Sequence, residues 1–286
     1  MAETATDLAS ARTAQAAGEP LRVIAVASGK GGVGKTNVAA NVAVALARQG
    51  LRVCVVDADL GLANLDVVFG LAPRMSLLHV IRGERRLAEV IVEGPAGVRI
   101  VPAASGVEEL TALGAADRIR LLDEVDGLDV GLDVLLIDTA AGISGNVLYF
   151  TAAAAEALVV ITPEPTSLTD AYGLIKVLAT RYGRREFLVA VNMAAGAADA
   201  ETAFGRLARV TERFLGVRLE YQGYVPLDDA LPRAVRAQTP VVLAAPSAPA
   251  SLALVQLARR LGGRPGTGPN GGLQFFFRRL LEEGRG

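Results

Sequence analysis

The residues best suited to chemistry form a short glycine-rich run that carries two lysines. It reads Ser28-Gly29-Lys30-Gly31-Gly32-Val33-Gly34-Lys35-Thr36-Asn37. Two glycines separated by four residues and followed by Lys35 and Thr36 have the spacing of a loop that binds nucleotide phosphates. In such a loop backbone N–H groups point at phosphate oxygens, the lysine reaches the β- and γ-phosphates, and the hydroxyl binds Mg²⁺. The sequence therefore predicts an ATP site over residues 29–37, with Lys35 as a catalytic cation and Thr36 as a metal ligand.

Lys30 is the unusual residue of this run, because a phosphate-binding loop needs only one lysine. The run follows an apolar segment and precedes a helix-like one, so its first lysine lies inside the loop itself. A second cation at this place must be solvated, neutralised by phosphate, or directed at something outside the pocket. The residues alone leave these alternatives open.

Two acidic segments close apolar runs elsewhere in the chain. Asp57 closes the run at 52–57 and Asp59 comes two residues later, while Asp138 closes the run at 133–138. Phosphoryl transfer to water needs a metal ion and an oriented water molecule, and carboxylates serve both purposes. We expect Asp57 and Asp138 to bind Mg²⁺ and Asp59 to position the attacking water. Aspartates in such places also cap turns, which is the alternative reading.

Later segments are candidates for holding the base of the nucleotide. Asn192 closes another apolar run, and its amide can both donate to and accept from the edge of adenine. The turn that contains Pro226 and Asp228 is placed to cover the ring. Both segments are also compatible with ordinary turns.

The elements that must position these residues are visible in the periodicity of the chain. Apolar runs at 22–28, 52–57, 98–102, 133–138, 157–162, 187–192 and 217–222 alternate with helical patterns at 36–49, 108–125, 146–156, 167–182 and 197–215. This alternation predicts an α/β fold with a mostly parallel central sheet flanked by helices on both faces. Ligands of such sheets bind beyond the carboxyl ends of the strands, where the aspartates lie. Ser167 and Asp170 have the spacing of a capping box for their helix.

Composition restricts the possible functions. Lys and Arg total 29 against 30 Asp and Glu, so the net charge of −1 gives no global attraction to nucleic acid. A single cysteine, Cys54, cannot form a disulfide framework or an iron–sulfur cage. The chain shows no apolar run of membrane-spanning length and no secretory signal, so we expect a cytoplasmic protein.

The two ends of the chain differ from the middle. We expect a flexible arm at 1–20 that is a candidate partner-binding segment, one ATPase domain at 21–262 and a Gly- and Pro-rich linker at 263–272. In the last segment, 273–286, one face of a helical wheel is apolar and the other carries arginines and glutamates. The apolar face consists of Leu273, Phe276, Phe277, Leu280 and Leu281. This pattern predicts an amphipathic helix that lies in a membrane interface, with folding back onto the domain as the alternative.

Lys30 together with Lys35, the aspartates at 57 and 59, and the loop after Asp138 resemble the MinD/ParA family of ATPases, which have a deviant Walker A loop. The resemblance covers about residues 21–262. The stretches at 102–106, 162–176 and 231–236 are similar to the flagellar-number regulators of this family, the FlhG/FleN branch, also called MinD-like or YlxH.

The resemblance implies a homodimer with ATP between the subunits, in which Lys30 crosses to the nucleotide of the partner and hydrolysis releases the dimer. It implies that the C-terminal helix docks on anionic lipid at the inner face of the cell membrane in the ATP state. It further implies control of the number and placement of flagella, with flagellar basal-body or regulator proteins as partners. Family members also act on the GTPase FlhF through an N-terminal Asp-Gln-Ala-x-x-Leu-Arg pattern. Residues 7–12 are comparable here, but the glutamine is absent.

Other members of the same superfamily are the rival interpretations. A division-site selector of the MinD type would share the ATPase and the membrane helix. A ParA-type ATPase that positions DNA needs a basic surface stripe, which the net charge of −1 does not favour. A metabolic ligase would require a substrate site that the sequence does not reveal.

Overall fold

The protein is built around an eight-stranded sheet. The computed structural model describes residues 21–59, 64–102, 124 and 131–264. The strands are β1 (Arg22–Ser28), β2 (Val53–Ala58), β3 (Val92–Glu93), β4 (Arg99–Val101), β5 (Val134–Ala141), β6 (Glu156–Ile161), β7 (Glu186–Ala194) and β8 (Arg218–Pro226). Their spatial order is β3-β4-β2-β5-β1-β6-β7-β8. Every neighbouring pair is parallel except β3 and β4. The predicted mostly parallel α/β sheet is confirmed.

Helices cover both faces of the sheet. They are α1 (Lys35–Arg48), α2 (Leu65–Phe69), α3 (Leu77–Ile81), α4 (Leu87–Val90), α5 (Gly145–Ala153), α6 (Pro165–Arg181), α7 (Ala197–Leu215), α8 (Ala230–Arg236), α9 (Val241–Ala244) and α10 (Pro249–Gly262). Alternate residues of β1 belong to different apolar clusters: Ile24 packs with α1 and α10, whereas Ala27 packs with α5, α6 and α7. The strands are therefore buried on both faces, as parallel strands with helical crossovers require.

Three local expectations differ from the structure. The two-residue strand β3 was not predicted, because it is too short to show a period. The helix expected at 146–156 ends at Ala153, and Glu156 already belongs to β6. The expected capping box is wrong, since α6 begins at Pro165 and the Ser167 hydroxyl instead accepts the Thr162 N–H at 3.0 Å.

The order of the strands brings the chemical residues together. Strand β5 lies between β1, which leads into the glycine-rich loop, and β2, which ends in the aspartates. Asp57 and Asp138 are register partners on adjacent strands. One edge of the sheet therefore carries the loop and the carboxylates side by side.

The opposite edge of the sheet contains a network of charges, of which Arg22 and Glu156 are buried while Arg264 and Glu220 are partly exposed. Arg22 at the start of β1 donates to the Glu156 carboxylate at 3.0 and 2.6 Å, and it also donates to the Leu261 carbonyl at the end of α10. Arg264 pairs with Glu156 at 3.3 Å and with Glu220 of β8. Because each charge has a partner, the network fixes the end of α10 to the sheet at the edge remote from the glycine-rich loop.

Several predicted elements fall largely outside the described residues. These comprise the arm at 1–20, the helical pattern at 108–125 apart from Glu124, the linker beyond residue 264 and the helix at 273–286 with its apolar face. None of the helices in the described ranges combines the length and the apolar character needed to cross a membrane.

Candidate nucleotide-binding site

The glycine-rich loop is shaped by two left-handed glycines and by a close contact with α6. Gly32 and Gly34 have φ of 81° and 82°, a region that favours glycine. A Cβ on Gly29 would lie 2.2 Å from the backbone of Asp170, so only glycine fits against the helix there. The Ser28 hydroxyl donates to the Lys30 carbonyl at 3.0 Å. The loop is thus held open, with its backbone free to face phosphate.

A buried ion pair lies directly beneath this loop. The Lys35 ammonium donates to Asp138 Oδ1 at 2.7 Å, and both side chains are almost fully buried. Burial raises the pKa of the Asp138 carboxyl, while Lys35 and a hydrogen bond with Thr36 act in the opposite direction. Asp138 Oδ2 is buried and has no hydrogen-bond partner within the described residues. A buried carboxylate oxygen without a partner beside a threonine hydroxyl fits the oxygen ligands that Mg²⁺ prefers.

Asp57 lies next to this pair and has a perturbed acidity. Its carboxylate accepts the backbone N–H groups of Asp59 at 3.0 Å and Leu65 at 3.4 Å. Burial, followed by the negative charge of Asp138, raises the pKa of Asp57 to about 7. Two adjacent carboxylates repel each other when both are ionised. A cation bound between them would stabilise their charged forms.

A cavity of about 550 Å³ opens above these residues. It is lined by Ser28, Lys30, Gly31, Gly32, Val33, Gly34, Lys35, Thr36, Asn37, Asp59, Asn64, Val67, Val68, Ala140, Ala141 and Val235. The volume lies within the range of small-ligand sites. Asp59 faces the cavity, whereas Asp57 and Asp138 lie beneath it and Gly29 packs against α6. Sequence reasoning missed Asn64, Val67 and Val68 on or before α2 and Val235 on α8.

Lys30, the second lysine of the loop, contacts α6 and the residue before it in its own chain. Its ammonium donates to Glu164 Oε2 at 2.8 Å and to the Thr166 hydroxyl at 3.0 Å. Both ends of the ion pair are exposed, with 37% of the Lys30 side chain and 63% of the Glu164 side chain accessible. The hydrogen bond from Lys30 lowers the pKa of the Glu164 carboxyl. The cation is therefore paired at the rim of the cavity and accessible from outside.

The residues expected around the base are dispersed. Asn192 is buried under the loop, where its amide donates to the Val33 carbonyl at 2.7 Å and its Oδ1 has no partner among the described residues. Asp228 accepts the N–H groups of Ala230 at 2.8 Å and Ala250 at 3.0 Å, so it caps α8 and α10. Pro226 lines a separate cavity beside β8. None of the three side chains lines the cavity above the loop.

The raised pKa of Asp57 gives a testable pH dependence. In the unfolded chain Asp57 ionises near the ordinary aspartate pKa of 3.8, whereas in the folded chain its pKa of about 7 keeps it protonated between pH 4 and pH 7. Because the folded state binds the extra proton, its free energy of unfolding should fall as the pH rises through this window, by about 4 kcal/mol at most. Urea unfolding without nucleotide measures the slope.

Asp57→Asn should remove this contribution, while the matched variant Asp66→Asn, on nearby α2, should retain it. An Asp57→Asn protein whose stability falls as steeply as that of the wild type would show that the pKa of Asp57 is not raised.

Comparison with known proteins agrees with this geometry. Residues 24–241 match the family model described as the CobQ/CobB/MinD/ParA nucleotide binding domain. The chain is 47% identical to the antiactivator FleN of Pseudomonas aeruginosa, over 92% of this chain and 94% of FleN. It is 36% identical to the flagellum site-determining protein YlxH of Helicobacter pylori, over 91% and 90% of the two chains.

A solved structure shows the same architecture. It is that of the septum site-determining protein MinD complexed with Mg-ADP from Pyrococcus horikoshii. The TM-score is 0.66 at 27% identity, with 84% of this chain and 96% of the other covered. The predicted membership of the MinD/ParA family and the predicted resemblance to its flagellar branch are both confirmed. The chain belongs to the CobQ/CobB/MinD/ParA family of nucleotide-binding domains.

Proposed function

We propose that the chain is an ATP-hydrolysing switch that dimerises around ATP and controls the number and placement of flagella. The observation that carries the catalytic part is the buried Lys35–Asp138 pair, at 2.7 Å, beneath a loop whose backbone faces a cavity of nucleotide size. A lysine buried against one carboxylate is positioned to meet the β- and γ-phosphates when they enter the loop.

Different residues of the site are proposed to have different roles in hydrolysis. Thr36, Asp57 and Asp138 would hold Mg²⁺, which supplies charge neutralisation on the phosphates when bound. Asp59 faces the cavity from the end of β2, and its carboxylate orients the attacking water. Proteins of this kind need little covalent chemistry, so a few well-placed charges suffice.

Lys30 is proposed to act across the dimer. In the single chain its ammonium is bound by Glu164 and Thr166 at the rim of the cavity. Exposed ion pairs of this kind contribute little to stability because water screens them, so the lysine can leave Glu164 for the phosphates of a partner at small cost. A second subunit facing the cavity would then complete the site.

The relatives support the cellular role. FleN, 47% identical, is named an antiactivator, and YlxH, 36% identical, is named flagellum site-determining. Similarity to MinD is lower in the solved structure, at 27% identity, so division-site selection is the second candidate. Flagellar basal-body or regulator proteins and the GTPase FlhF are the proposed partners. We also propose that the helix at 273–286 binds anionic lipid, so that the protein is cytoplasmic and peripheral on the membrane in its ATP state.

The dimer is tested with three variants. Asp59→Ala should bind ATP and accumulate as a dimer, because hydrolysis no longer releases it. Lys30→Ala should bind ATP but remain a monomer. Lys35→Ala should lose roughly 10–100-fold in ATP affinity, because a charge-assisted hydrogen bond is worth about 1.5–3 kcal/mol. Light scattering after gel filtration and calorimetry measure both properties. A Lys30→Ala protein that dimerises normally would contradict the role across the interface.

The membrane helix is tested by deleting residues 273–286. The deletion should abolish co-sedimentation with anionic liposomes in the presence of ATP while leaving the ATP affinity unchanged. The matched control replaces Arg278 and Arg279 with alanine, which should weaken binding to anionic liposomes only. Undiminished co-sedimentation of the deleted protein would place the lipid contact elsewhere.

The flagellar role is tested in cells. In Pseudomonas aeruginosa lacking FleN, this chain should restore the flagellar number of the parent strain, and Lys35→Ala should not. Flagella counted by electron microscopy are the measurement. Restoration of division-site placement in cells lacking MinD, without an effect on flagella, would favour the second candidate.

A further inference from the structure

An apolar groove runs between α6 and α7, away from the nucleotide cavity. It has a volume of about 410 Å³ and its lining includes Leu168, Tyr172, Arg206, Leu207, Val210 and Phe214. Phe214 is 64% exposed and Val210 is 39% exposed. A phenylalanine left open to this extent beside a groove is the mark of a contact surface rather than of a folded core.

The borders of the groove carry positive charge. At 100° per residue, Arg206 and Arg213 lie on the side of α7 that faces α6, whereas Glu201 and Glu212 lie on the opposite flank. Asp199 shares the side of Arg206, but it lies two turns nearer the start of α7, outside the groove lining, where it accepts the Ala195 N–H at 3.0 Å. On α6, Lys176 continues the stripe of Leu168 and Tyr172 and is exposed. The Arg213 guanidinium lies 5.4 Å from the centroid of the Phe214 ring. The groove is thus an apolar floor between cationic rims.

We propose that this groove binds an amphipathic helix of a partner protein whose polar positions are acidic. The space between two packed helices has the shape that a third helix fits, with apolar side chains on the floor and charged ones at the rims. The cationic rims select glutamate and aspartate at those positions. The polar face of the chain's own segment at 273–286 carries Glu282 and Glu283 but also Arg278 and Arg279, so it is not the acidic face that these rims favour.

The groove is connected to the nucleotide loop through a single helix. The turns of α6 that present Leu168 and Tyr172 to the groove also place the Asp170 backbone against Gly29. The Lys30 partner Thr166 belongs to the first turn of α6, and Glu164 immediately precedes it. A helix docked in the groove would therefore contact α6, the helix that holds Lys30. Only the width of α6 separates the groove from the glycine-rich loop.

The test uses the full chain and two labelled synthetic helices of about four turns each. Both have leucines at i, i+3, i+4 and i+7, and the remaining positions are mainly glutamate in one and lysine in the other. Fluorescence anisotropy should show that the acidic helix binds at least about tenfold more tightly. Phe214→Ala and Arg206→Glu should each weaken its binding by about tenfold or more.

Leu252→Ala and Arg259→Glu, which change an exposed leucine and an exposed arginine on α10, are the matched controls and should bind the acidic helix like the wild type. Lys35→Ala should also bind it, so failure of the proposed ATPase and failure of this groove give different results. Thermal unfolding of each variant verifies that the fold is retained.

The alternatives have distinct outcomes, each of which overturns the proposal. If the acidic helix binds only after residues 265–286 are deleted, the chain's own tail occupies the groove. If Phe214→Ala reduces liposome co-sedimentation but not peptide binding, lipid is the occupant. Three further results would contradict the proposal. The basic helix could bind more tightly than the acidic one, the acidic helix could bind Phe214→Ala as well as the wild type, or neither helix could bind.

Discussion

The ion pair between Lys35 and Asp138 is the contact on which the site depends. It joins the loop after β1 to the end of β5 in surroundings that exclude water, where removing either partner would leave an isolated buried charge. The register of the sheet then brings Asp57 alongside Asp138. One interaction between the start of α1 and strand β5 would thereby set where a phosphate, a cation and a water molecule meet in the proposed site.

The loop is supported from several directions, and these contacts define its shape. Gly29 is pressed against the α6 backbone, and the Asn192 amide binds the Val33 carbonyl from below. A Cβ on Gly34 would lie 2.3 Å from Asn192, so the turn is restricted to glycine by packing as well as by its φ. Such support prepares the loop before ligand arrives, which lowers the ordering cost of binding.

Short-range patterns predicted the fold class and the loop, because the glycine-rich run and the alternation of periods are encoded locally. What could not be predicted depends on contacts between distant segments. Asp228 caps two helices because Ala250 comes beside it, and Val235 reaches the cavity only through the path of α8. The contact between Lys30 and Glu164 likewise joins residues that no spacing rule connects.

The contact of Lys30 with its own chain has a thermodynamic consequence for the proposed dimer. Association would exchange one ion pair for another, so the net change in electrostatic free energy is the difference between two similar quantities. Because one ion pair of Lys30 replaces another, this contact by itself would favour neither the monomer nor the dimer. In the proposed dimer the charge of the nucleotide would then set the balance, and loss of one phosphate would shift it towards separate subunits. Because Lys30 can pair with Glu164 of its own chain again when the subunits separate, formation of the dimer would be reversible.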